Sequence, residues 1–108
     1  FKDLTNSGHH WAIWDIPGAT LALAQGVPTD PNPNPPGGGT KQNISQFAST
    51  YGYYGPCPPS EHTYRFTLYA IDVSTLPNVT IGSTGAQVET EILLHDLGSA
   101  TLTGTYAP

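Results

Sequence analysis

Four histidines stand in a chain with only three basic side chains, Lys2, Lys41 and Arg65, which makes imidazole its leading titratable group. His9 and His10 are neighbours. On an extended segment they face opposite ways, so only one of them can share a site with His62. His62 closes the stretch YGPCPPSEH, and the run after it alternates. His62, Tyr64, Phe66, Leu68 and Ala70 fall on one face, with Thr63, Arg65, Thr67, Tyr69 and Ile71 on the other. The first face is the apolar one, so the imidazole is in phase with a core-facing row. Two imidazoles, a tyrosine hydroxyl and the amides of a Gly-Pro loop can hydrogen-bond an oxyanion. A neighbouring aspartate would raise the imidazole pKa values and favour such binding at lower pH. The candidate site is Asp3, one of His9 and His10, His62 and Tyr64, walled by the proline loop. From pattern alone, a hydrogen-bonded core pair of His62 and Tyr64 is an equally good reading.

Other chemistries find less support. No HExxH or CxxC spacing is present, so the sequence implies neither a metal nor another cofactor. Cys57 sits between Pro56 and Pro58 with no orienting Asn or Asp nearby. It reads as a small buried hydrophobe, not a nucleophile. His95 reads as a core or cap histidine, and Trp11 and Trp14 as core. The sequons Asn43-Ile44-Ser45 and Asn78-Val79-Thr80 carry no weight without a known secreted context.

The elements that must position the site are mostly extended. HHWAIWDIP, residues 9–17, is aromatic and β-rich and predicts a strand buried on both faces. Residues 19–26 predict either an extended segment or one helical turn. Residues 25–39 hold five prolines and four glycines, a composition that predicts a long loop. Thr84-Gly85-Ala86-Gln87 matches a capping box and predicts a helix over about residues 85–95, burying Val88, Ile92 and His95. The closing SATLTGTY alternates Ala100, Leu102, Gly104 and Tyr106 against a threonine stripe, as a half-exposed antiparallel strand does. The fold class is mostly β with one late helix.

At 108 residues the chain fits one domain. Its net charge of −5 and three cations argue against nucleic acid and against a basic membrane-surface patch. No apolar run is long enough for a membrane-spanning helix. A single cysteine permits no internal disulfide. The opening FKD reads as the tail of a strand already under way, so a fragment of a longer or cleaved protein is expected. Low charge with many Ser, Thr, Gly and Asn leans towards an exported protein, with a cytoplasmic one also plausible.

GPCPPSEHTYRFTLYAID closely resembles the signature of the phosphatidylethanolamine-binding protein family (the Raf kinase inhibitor protein family), especially its bacterial and archaeal branch. HHWAIWDIP is similar to that family's HW…NIP segment, ATLTGTY to its closing strand, and the asparagine of TKQNISQF falls at its G.N element. The resemblance implies a large antiparallel sheet, a smaller sheet and a C-terminal helix, in a domain of which residues 1–108 are the C-terminal two thirds. It therefore admits an N-terminal companion chain. It also implies a small anion pocket built from His10, His62 and Tyr64, with Gly55 and Pro58 lining it and Asp3 at the first aspartate of an Asp-Pro-Asp-x-Pro motif. This sequence departs there, reading Asp3-Leu4-Thr5-Asn6, and carries Thr63 where the family has arginine. The resemblance implies a non-enzymatic regulator binding phosphate, a phospholipid head group or a carboxylate, with kinase or protease partners in some lineages. Two alternatives stand beside it. One is an enzyme using His10 or His62 for acid/base chemistry, with the long loop as a lid; the other is an interaction module presenting that loop.

Overall fold

The alternating run after the proline loop forms the central strand of the larger sheet in a computed structural model that describes residues 1–108. Six elements follow in chain order: β1 (Lys2–Asp3), β2 (Ile13–Trp14), β3 (Lys41–Gln42), β4 (His62–Ile71), α1 (Gly85–Leu93) and β5 (Asp96–Tyr106). The larger sheet has the order β1-β4-β5 and the smaller pairs β2 with β3, all antiparallel. β4 registers on both sides: Asp3 lies opposite Tyr64, and His62 opposite Tyr106. Cross-strand neighbours share a face, so one face carries His62, Tyr64, Phe66 and Leu68 with Tyr106, Gly104, Leu102 and Ala100.

Helix α1 meets the opposite face near Ile71, at the end of β4. The capping box forms as its sequence requires: Thr84 Oγ1 accepts from the Gln87 amide (3.1 Å), and Gln87 Oε1 accepts from the Thr84 amide (2.9 Å). The helix buries Val88 against Trp14 and Leu76, and Ile71, Val79 and Ile92 pack around this small core. A Cβ at Gly85 would stand 2.4 Å from the His9 Cβ, so the first helical position must be glycine for the helix to dock this closely. His95 falls just beyond the helix, not on its buried face. Its Nδ1 is 2.7 Å from Asp72 Oδ1 and its Nε2 is 3.5 Å from Glu91 Oε1, tying the helix end to the chain leaving β4.

The expected strand over 9–17 is reduced to Ile13–Trp14. Its partner segment is the reason. Thr40, Gln42, Asn43 and Ser45 are buried polar residues, and they hold the loop by side-chain bonds where a ladder would use backbone. Gln42 Nε2 donates to the carbonyls of Pro28 (2.6 Å) and Asp30 (2.7 Å), while its Oε1 accepts from Trp11 Nε1 (2.9 Å). The backbone between Trp14 and Lys41 is thereby pinned without regular structure, and residues 19–26 form neither strand nor helix. Trp11 is half-buried, while Trp14 joins the core.

The apolar row of β4 is only partly a core row. Tyr64 is 5% exposed, but Leu68 is 68% and its face-mate Leu102 71% exposed. Every residue of β5 is exposed, on both faces. Nothing in residues 1–108 lies over this end of the sheet, and β5 is an edge strand whose outer backbone is unpaired.

Candidate functional site

β1 brings Asp3 beside the start of β4, and the turn after it fixes the carboxylate. Asp3 Oδ1 accepts from the amides of Thr5 (2.8 Å) and Asn6 (3.4 Å), and Oδ2 lies 2.6 Å from His62 Nδ1. The turn is clipped to β4 at Thr63: the Leu4 amide donates to the Thr63 carbonyl (2.7 Å), and the Thr63 amide donates to Thr5 Oγ1 (3.0 Å). The Asp3-Leu4-Thr5-Asn6 segment thus replaces proline stiffness with four hydrogen bonds, and Thr63 serves through its backbone. Asp3 is 1% exposed. Burial opposes its ionisation, but the His62 contact and the two amides outweigh it and hold the carboxyl below the usual carboxylate range.

His10 comes from the aromatic segment and His9 does not. His10 is 4% exposed, with Nδ1 3.0 Å from the Tyr54 carbonyl oxygen. Its ring packs on Phe47 (centroids 4.5 Å apart) and edge-on to Tyr64 (5.4 Å). A Cβ at Gly8 would stand 2.2 Å from Phe47 Cζ, so the glycine lets that ring reach the histidine. His9 faces the helix, where its Nε2 is 3.5 Å from Glu89 Oε2.

Asp3, His10, Pro58, His62 and Tyr64 line one cavity of about 310 Å³. Asn6, Phe47 and Tyr54 also line it, and no sequence pattern singled them out. Their positions follow from the turn after β1 and from the loop's backbone, which carry no side-chain periodicity. Gly55 is not among the lining residues; it sits against the Tyr53 ring. Cys57, expected to be buried, is exposed and lines the cavity, because the prolines flanking it hold the segment at the surface. Burial first, and then the Asp3 charge, push the Tyr64 phenol above its ordinary pKa. No Lys or Arg lines the cavity. A second cavity of about 240 Å³ under residues 20–27 and Pro35–Pro36 holds no titratable side chain. No group of three or more His, Cys, Asp or Glu is placed to hold a metal ion. Of the two sequons, Asn43 is buried, its Nδ2 donating to the Ser83 carbonyl (3.1 Å).

A two-sheet antiparallel fold with a late helix thus carries a small cavity lined by two histidines, an aspartate and a tyrosine. The family model described as phosphatidylethanolamine-binding protein matches residues 2–107, and the chain belongs to that family. It is 40% identical over 98 residues to a UPF0098 protein of Methanothermobacter thermautotrophicus, covering 90% of this chain and 61% of the relative. To the UPF0098 protein YbhB of Escherichia coli it is 34% identical over 106 residues, covering 95% and 65%. The crystal structure of E. coli YbcL, described as a new member of the mammalian PEBP family, superposes with a TM-score of 0.81 at 27% identity. That match covers 98% of this chain and 65% of YbcL. The chain therefore spans less than two thirds of the length of these relatives. No helix is long and apolar enough to cross a membrane.

Proposed function

We propose that the chain is a non-enzymatic binding protein whose cavity takes a small anion, either phosphate, a phospholipid head group or a carboxylate. The observation that carries this reading is the lining itself. Two imidazoles and a buried phenol converge on one cavity, and the only carboxylate present spends its oxygens on His62 and on backbone amides. Asp3, His10, His62 and Tyr64 are the binding residues in this reading. Pro58 is a fixed wall, while Gly55, expected beside it, lies outside the lining. Control of a kinase or protease partner would then act through occupancy of this cavity. Residues 1–108 are read as one part of a longer domain, in keeping with the greater length of the relatives.

Calorimetry with inorganic phosphate and with phosphorylethanolamine is the test. His62→Ala is expected to weaken both by at least about tenfold, the loss of one charge-assisted hydrogen bond. Equal affinity in the variant would overturn the reading.

The enzymatic alternative draws on the Asp3–His62 pair, since a carboxylate on Nδ1 is also how a general base is oriented. It requires turnover of a small substrate that His10→Ala or His62→Ala abolishes.

A further inference from the structure

The two imidazoles carry a constraint on ligand chemistry that deepens the anion-binding reading and rests on it. His10 Nδ1 faces the Tyr54 carbonyl oxygen at 3.0 Å, and His62 Nδ1 faces Asp3 Oδ2 at 2.6 Å. A carbonyl oxygen and an ionised carboxylate can only accept, so each Nδ1 must carry the ring proton. In a neutral imidazole the other nitrogen is then a bare lone pair. Neither Nε2 has a hydrogen-bond partner within the chain, and both residues line the cavity. The neutral pocket therefore offers a ligand two acceptors, not two donors. The other titratable groups lining it are Asp3, Tyr54, Cys57 and Tyr64, and none brings a fixed positive charge. His9, Lys2 and Glu89 form a separate cluster on the helix side.

We propose that the pocket selects oxyanions that arrive carrying a proton, such as hydrogen phosphate or a carboxylic acid, over fully ionised ones such as sulfate. Each Nε2 contact with a ligand oxygen needs one proton between the two atoms. Either the ligand O–H donates to Nε2, or Nε2 takes a proton from solvent and donates it to the anionic oxygen. Both routes end with the same atoms and charge. Asp3 is the positioning residue that sets this rule at His62, because its acceptor oxygen dictates the tautomer. The hydrogen-bond pattern of the turn gives a way to reverse it. In Asp3→Asn, the side-chain oxygen is retained by the amides of Thr5 and Asn6, so the NH₂ group faces His62 Nδ1. That nitrogen becomes an acceptor, and Nε2–H becomes a donor into the cavity without any change of charge on the ring.

The experiment is calorimetry with inorganic phosphate and with sulfate at pH 8 and pH 5, each in two buffers of different ionisation enthalpy. At pH 8, sulfate is expected to bind at least about tenfold more weakly than phosphate, the penalty for acceptor facing acceptor. Roughly two protons should be taken up with sulfate and roughly one with hydrogen phosphate, which brings one of its own. The gap should narrow at pH 5, where a proton for each Nε2 contact is more readily drawn from solvent. Asp3→Asn should narrow the gap at pH 8. Independently of any variant, nitrogen NMR of the unliganded wild-type protein should find both neutral rings protonated at Nδ1. Equal affinities at pH 8 without proton uptake, or the opposite tautomer at both rings, would overturn the inference while leaving anion binding intact. Failure of both anions to bind at any pH would remove the binding reading itself, and this inference with it.

Discussion

The two ends of β4 share one face and one alternation, yet they have opposite fates. At the His62 end, Tyr64 is buried under His10 and Phe1, and Asp3 reaches across from β1. Four residues along, Leu68 and its neighbour Leu102 are bare. Phe66 marks the boundary: it stacks on Phe1 with ring centroids 4.0 Å apart, yet stays partly exposed. Alternation decides which side chains share a face, but only a second layer decides whether that face is dry. The cavity lies at the end where the segments around residues 1–10 and 47–59 supply that layer.

Substitutions along this single face test the contrast. Tyr64→Ala should cost about 3 kcal/mol, as for other buried aromatic truncations, read as a fall in the thermal midpoint. A cost near that of a surface site would mean that the pocket end is no better packed than the far end.

Acid titration comes next in size. The Asp3 carboxyl is held below its unfolded-state pKa, so its stabilising contribution is present above the unfolded value near about 4. That contribution is lost as pH falls through the folded value. Asp3→Asn should therefore flatten the acid limb of stability against pH. An unaltered acid limb would show that the buried carboxylate is not what couples the fold to protons.

The smallest effect belongs to the bare end. Leu68→Thr should shift stability by no more than about 0.5 kcal/mol, while reducing any self-association driven by the exposed row. A loss comparable to that of Tyr64→Ala would mean that the face is covered in solution.

Two elements were legible in the sequence because each has a purely local cause. The β4 run alternates, and the helix starts at a capping box whose two reciprocal bonds both form. The candidate site was legible in its side chains, since His62 and Tyr64 are two apart on one face and only one of His9 and His10 could join them. What was not legible depended on partners. HHWAIWDIP has strand composition, but its neighbours Thr40, Gln42, Asn43 and Ser45 are buried polar side chains, and only Ile13 and Trp14 find a ladder. The same cause hid the acceptor role of Tyr54. It contributes a backbone carbonyl to His10, which no residue type announces. The exposure of β5 was likewise invisible, because a threonine stripe opposite an apolar stripe reads the same whether or not anything covers the apolar side.

The contact between Asp3 and His62 spans 59 positions of sequence, and its consequence is kinetic. Closing a loop of that size costs on the order of 4 kcal/mol in chain entropy before any contact offsets it, so the cavity should be among the last features to assemble as the chain folds. A ligand gripped by His10 and His62 spans almost the same loop. It would act as a reversible cross-link, slowing unfolding to the extent that the closed pocket is still absent at the barrier.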